Sequence, residues 1–286
     1  MRMGAAANAT LGALLVALAL AGCVGAHDSD TVRLGYFPNL THAQALYGLD
    51  TGAYAQALGP DHPLKPIFFT AGPAAMEALL TGQVDLTYVG PSPTLNALVS
   101  SSGDQVRVIA GGASGGARFI VTPGLDPNDT QSLAGKTFAT PQLGNTQDVS
   151  MKNYLAQNGL KTKDHGGSVQ VLNAAPSEIL TLFSQHRIDG AWVPEPWATR
   201  MEKDAGGVQY LDERDLWPSG RFVTTQLVTT QAYIDHHPDV VAAILKAHVA
   251  ATQALQKGGA DTLAHVNGGI KAATGQKLDD QLLASA

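Results

Sequence analysis

The chain has 286 residues, 44% of them hydrophobic and 15% charged, with a net charge of −6 at pH 7. That apolar fraction suffices for a packed core, and the acidic balance excludes the basic surface that nucleic-acid binding requires. Cys23 is the only cysteine, which excludes a disulfide framework and a cysteine metal site.

The chain opens with a short, weakly basic Met1-Arg2-Met3 and a small apolar run over residues 11–20. The run is too short for a comfortable membrane span of about 20 residues and fits the core of a signal peptide. Leu20-Ala21-Gly22-Cys23 has the order of residue types of a bacterial lipobox. Residues 1–23 are therefore predicted to be a signal peptide with a lipobox, with Cys23 lipidated at the mature N-terminus. Such a chain is extracytoplasmic and held to a membrane by its lipid. The other reading is a plain signal peptide in which Cys23 is incidental.

About 260 residues follow, enough for one large domain or two lobes. Strands are predicted at 32–36, 66–69 and 84–89, alternating with helices at 43–58, 73–80 and 93–99. Thr81-Gly82 stops the second helix. Strands at 106–110 and 118–122 are joined by the Gly-rich bend 111–116. That bend lacks Gly-Lys-[Ser/Thr] and leads into a strand, so it suits a hinge better than a phosphate loop. A second round has strands at 137–140, 169–172 and 188–193 and helices at 149–157, 176–184 and 196–203. A β-prone run at 222–229 and an amphipathic helix at 238–256 follow. The alternation predicts α/β layers with mostly parallel sheets.

The two rounds share an element order. Val84-Asp85 and Ile188-Asp189 open matching strands, each running through an aromatic, Tyr88 or Trp192. Each strand ends in a Pro-bracketed turn, Pro91-Ser92-Pro93 or Pro194-Glu195-Pro196. Two similar lobes would set these turns on opposite walls of one cleft, at the carboxyl ends of strands. A single doubly wound domain remains the alternative.

Three helix starts are candidate anion sites, because helix N-termini carry free N–H groups and a positive dipole end. They are Asn39-Leu40-Thr41-His42, Pro91-Ser92-Pro93 with Ser92 as cap, and the loop 143–148 with Asn145 or Thr146 as cap. An ordinary structural cap is the other reading of each. Val193-Pro194-Glu195-Pro196-Trp197 reads either as a cleft wall, with Glu195 receiving a polar ligand end, or as lobe core with a capping acid. The nine histidines form no metal pattern, and no nucleophile, base and orienting acid stand together. No catalytic residue, metal or cofactor is predicted.

Several segments carry a resemblance: Val32 through His42; Gly82-Gln83-Val84-Asp85 on to Gly90-Pro91-Ser92-Pro93; Leu133-Ala134-Gly135-Lys136 on to Gly144-Asn145-Thr146-Gln147-Asp148; and Asp189 through Trp197. In this order they resemble the substrate-binding proteins for aliphatic sulfonates, nitrate and taurine that serve ABC importers. The resemblance covers nearly all of the chain after residue 30.

The resemblance implies a two-lobed type II periplasmic-binding fold, each lobe a mostly parallel sheet flanked by helices, joined by two crossovers. Lobe 1 would comprise 31–113 and 222–286, and lobe 2 would comprise 114–221. Tyr36, Asn39, Ser92, Asn145 and Thr146 would lie on the loops lining the cleft, with Glu195 and Trp197 as neighbours. The function implied is capture of a small anion, an aliphatic sulfonate before nitrate, bicarbonate or taurine, by a monomer that docks on a permease. A sensory receptor and an enzyme like the pyrimidine-precursor synthases are the alternatives. Relatives usually continue past the stretch that ends at Ala286, so lobe 1 is expected to be incomplete at its C-terminus.

Overall fold

The structure is a computed structural model that describes residues 30–101 and 105–286. The signal segment and Cys23 lie outside the described residues. In chain order the first part runs β1 (Val32–Tyr36), α1 (Ala43–Asp50), α2 (Ala53–Leu58), β2 (Leu64–Phe68), α3 (Gly72–Leu80), β3 (Leu86–Val89), α4 (Pro91–Ser100) and β4 (Val106–Ser114). The second part runs β5 (Ala117–Val121), β6 (Thr137–Thr140), α5 (Thr146–Gln157), β7 (Gln170–Asn173), α6 (Pro176–Ser184), β8 (Gly190–Pro194), α7 (Trp197–Ala205) and β9 (Val208–Asp212). The chain ends with β10 (Val223–Thr230), α8 (Gln231–His236), α9 (Pro238–Lys257), α10 (Ala260–Thr274) and α11 (Asp280–Ser285).

The strands form two five-stranded sheets, ordered β2-β1-β3-β10-β4 and β7-β6-β8-β5-β9. In the first, β1 pairs in parallel with β2 and β3, while β10 is antiparallel to both β3 and β4. In the second, β6 pairs in parallel with β7 and β8, while β5 is antiparallel to β8 and β9. Four strands in each sheet thus share a direction and one opposes them. The opposing strand is in each case the one that has just crossed from the other sheet. The first crossing is Gly115-Gly116, both left-handed at φ 81° and 79°. The second is the segment between β9 and β10.

The two sheets repeat each other in detail. The Asp85 carboxylate accepts the Arg33 N–H at 2.7 Å, and the Arg33 carbonyl accepts the Asp85 N–H at 2.9 Å. Asp189 makes the same exchange with Thr137, at 2.8 and 2.7 Å. Each aspartate thereby ties the start of one central strand to the next. Arg33 and Lys136 offset the two charges, at 2.5 and 3.7 Å.

Each sheet is covered on both faces, so its central strands β3 and β8 are buried at every position rather than at alternate ones. Leu34, Leu46, Leu86 and Ile244 fill the side under α1, α2, α9 and α10, and Met76, Leu79 and Val89 the side under α3 and α4. In the second lobe Phe119, Phe138 and Trp192 pack under α5, and Ile179, Ile188 and Met201 under α6 and α7. Each fully buried aliphatic or aromatic side chain contributes about 1.5–3 kcal/mol. The matched aromatics both lie at 0% exposure with their polar atoms bonded. Tyr88 OH meets Tyr54 OH and His248 Nδ1, each at 2.6 Å, and Trp192 Nε1 donates to Glu213 at 2.7 Å.

The helix predicted over 43–58 is two helices. Gly52, left-handed at φ 73°, turns the chain between them. The strand β9 and the helix α10 were not foreseen.

Candidate functional site

The lobes face each other with the carboxyl ends of β1, β3, β6 and β8 toward the gap. Between them lies a tight cavity of about 20 Å³, little more than one water needs. The first lobe contributes Phe37, Asn39, His42 and Thr225 to its wall, and the second contributes Asn145, Thr146 and Gln147.

The start of α5 brings a group of buried donors to that wall. Asn145 occupies the cap position, but its side chain makes no capping bond. Its Oδ1 accepts the Gly72 N–H of the first lobe at 3.1 Å, and its Nδ2 donates to Gln147 Oε1 at 2.8 Å. The amide N–H groups of Thr146, Gln147 and Asp148 are left without protein partners, as a helix N-terminus leaves them unless capped. The buried Asp148 carboxylate turns away, accepting from Thr140, Gly144 and Asn173 and pairing with Lys152 at 2.9 Å.

Two hydroxyls in the cavity wall are buried and unbonded: Thr146 Oγ1 and Thr225 Oγ1, on residues 6% and 1% exposed. A buried polar atom without a partner costs about 1–3 kcal/mol. Two such atoms on residues that line one cavity mark a place where a polar group belongs.

His42 was not foreseen as a site residue. It is buried, stacked on Phe37 at 4.4 Å, and its Nδ1 accepts the Phe37 N–H at 3.2 Å. Burial lowers its pKa from 6.5 to about 3, so the ring is neutral. The bond to Nδ1 assigns the remaining hydrogen to Nε2, which has no protein partner and belongs to a cavity-lining ring. No Asp, Glu, Lys or Arg side chain lines the cavity among the described residues.

Of the residues expected at the cleft, Asn39, Asn145 and Thr146 line the cavity. Tyr36 is buried in the first lobe's core. Ser92 sits in the first turn of α4, whose cap is Gly90, and makes no capping bond. Pro91 and Pro93 flank it and have no N–H, so this helix start offers only the Ser92 amide among its first three positions. It is a poor anion site for that reason, contrary to expectation.

Glu195 is the capping acid of the two readings. Its Oε2 accepts the Thr199 N–H of α7 at 3.1 Å, and its Oε1 lies 2.6 Å from the Arg118 guanidinium. Its backbone faces the other way: the Glu195 carbonyl accepts the Leu40 N–H of the first lobe at 2.9 Å. Trp197 also bridges the lobes, donating from Nε1 to Asn39 Oδ1 at 3.0 Å, with Arg200 5.2 Å over its ring.

Two glycines sit at contacts between the lobes. A Cβ on Gly90 would collide with the Thr146 hydroxyl, and one on Gly72 would crowd the Asn145 side-chain oxygen. Among the described residues, no group of three or more His, Cys, Asp or Glu is placed to hold a metal ion.

The chain belongs to the NMT1-like family, whose model matches residues 25–266. It is 26% identical over 185 residues to the taurine-binding periplasmic protein of Escherichia coli strain K12, across 65% of this chain. That match spans about half, 55%, of the relative's length. The alkanesulfonate-binding protein of Xanthomonas axonopodis pv. citri, solved bound to MOPS, superposes with a TM-score of 0.71 at 17% identity. The superposition covers 90% of this chain and 82% of that one. The periplasmic nitrate-binding protein of Synechocystis PCC 6803 superposes at 0.69 and 16% identity, over 85% and 66% of the two chains. These likenesses establish the fold as the two-lobed α/β architecture of periplasmic binding proteins.

Proposed function

We propose that this protein is an extracytoplasmic solute-binding protein that captures a small anion, an aliphatic sulfonate, between its lobes and delivers it to the permease of an ABC importer. The observation that carries this reading is the pair of unpartnered buried hydroxyls, Thr146 and Thr225, beside three free amides at the start of α5. Hydrogen bonds to a charged group contribute about 1.5–3 kcal/mol each, and micromolar affinity needs about 8 kcal/mol. Three amides, two hydroxyls and the His42 N–H are enough for that without a basic side chain. Phe37 and the rings of Pro141, Pro176 and Pro194 supply an apolar wall for an alkyl end.

In this reading the ligand bridges the lobes and favours the closed form, which then docks on the permease. The protein does no chemistry on its ligand, works as a monomer, and is tethered through lipidated Cys23. Lobe 1 is 31–113 with 222–286, and lobe 2 is 114–221. Nitrate is the second reading, favoured by how little free volume the cleft leaves between the lobes.

Calorimetric titration of the purified full-length chain against ethanesulfonate, taurine, nitrate and sulfate tests this. One-to-one micromolar binding of a sulfonate and not of nitrate supports the first reading. The reverse preference supports the second. A folded protein that binds none of them refutes both.

A further inference from the structure

The amides around the cavity have fixed orientations. The Trp197 indole N–H can only donate, so the Asn39 atom facing it is the carbonyl oxygen. The Gly72 N–H likewise fixes the Asn145 oxygen toward the first lobe, which turns the Asn145 NH₂ onto the Gln147 oxygen. The carbonyl oxygens of all three amides are therefore used within the protein. What remains free is the NH₂ of Asn39 and of Gln147. His42 follows the same rule, with Nδ1 occupied by the Phe37 N–H and the hydrogen on Nε2 left over. Three backbone N–H groups at the start of α5 add further donors. No carboxylate faces the cavity among the described residues, and the side-chain acceptors left there are hydroxyl oxygens.

We infer that the cleft is a donor-rich shell that selects oxyanions carrying no O–H of their own, and that Gln147 is one of the residues setting this selection. The inference rests on the solute-binding reading and narrows its ligand class. A sulfonate or a nitrate presents only acceptor oxygens, and each finds a waiting donor. Bicarbonate, and both forms of phosphate present at pH 7, must bury an O–H. Among the side chains of this wall that O–H meets either another donor or a hydroxyl whose own hydrogen must then be re-housed. A buried donor left unpaired weakens binding on the order of ten- to a hundred-fold.

The experiment is calorimetric titration of the full-length chain at pH 7 with ethanesulfonate, nitrate, bicarbonate and phosphate, repeated with Gln147→Glu. This variant keeps an oxygen for the Asn145 NH₂ and turns the one free amide donor of residue 147 into an acceptor. The wild type is expected to bind ethanesulfonate or nitrate at least tenfold more tightly than bicarbonate and phosphate. Gln147→Glu is expected to lose at least tenfold for the preferred anion and to narrow that ratio. Bicarbonate or phosphate binding as tightly as the best anion overturns the inference and leaves the solute-binding reading standing. So does a folded Gln147→Glu protein with wild-type affinity and ratio. Binding of no anion at all refutes the solute-binding reading itself, and this inference with it. If Gln147→Glu does not fold, the wild-type ratio alone decides.

Discussion

The side-chain oxygen of Asn39, at the end of the first strand's loop, accepts the indole N–H of Trp197, which opens a helix of the other lobe 158 residues along the chain. Together with Leu40 N–H to the Glu195 carbonyl and Gly72 N–H to Asn145, it holds the cleft shut. A net hydrogen bond of this kind contributes about 0.5–1.5 kcal/mol. Trp197→Phe is therefore expected to raise the open population of the ligand-free protein by a factor of about 2 to 10. The measurement is the radius of gyration by small-angle X-ray scattering without ligand, which should grow. An unchanged radius would show that this bond does not hold the closed form.

Thr225→Val separates binding from stability. The hydroxyl has no partner in the protein, so removing it should leave the free protein as stable or raise its stability by about 1 kcal/mol. Ligand-induced stabilisation should shrink at the same time. Thermal melts with and without saturating ethanesulfonate test both halves.

Arg118 holds Glu195 against the start of α7 and also reaches Glu202 at 2.7 Å. Arg118→Met would leave the Glu195 carboxylate buried without a cation, at a cost of about 3–5 kcal/mol. Glu195→Gln should cost less, because Arg118 keeps Glu202. Urea denaturation of the two variants should rank them in that order, and the reverse order would refute the account.

Acid should destabilise the fold through His42. Its folded pKa, about 3, lies below the unfolded 6.5, so the unfolded chain takes up the proton first. The stabilisation is complete above pH 6.5 and is lost as pH falls toward 3, by up to about 1.4 kcal/mol per unit. Burial lowers His248 in the same direction. Burial raises the Glu213 carboxyl, which has the opposite sign: its contribution is greatest at low pH and lost as pH rises through its raised value. His42→Asn keeps an acceptor for the Phe37 N–H and should flatten the slope of unfolding free energy between pH 6.5 and 4.5. An equal slope in the variant would remove His42 as its source.

The two-round organisation was legible in the letters because its markers are local. Val84-Asp85 and Ile188-Asp189 each open a strand, and both aspartates make the same backbone exchange. Asn145 and Thr146 were legible for the same reason, as a helix start directly after a strand. The orientation of Glu195 was not, because the cation that claims it is 77 residues away. The strand β9 was hidden because only Tyr210 and Asp212 of its five residues are buried, which leaves no apolar run to read. His42 had a signal within reach, an aromatic five residues earlier whose N–H its ring accepts, but a lone histidine without a metal pattern suggests no role. The poor donor supply of the α4 start was also in the sequence, written as two prolines.

The bare Cα of Gly90 against the Thr146 hydroxyl works as an end-stop for the jaws. A methyl group grown there would act as a wedge, and larger side chains would prop the molecule progressively further ajar. A graded series at this one position would turn a two-state device into a calibrated gauge. It would measure how far the jaws must travel before a partner recognises them as shut.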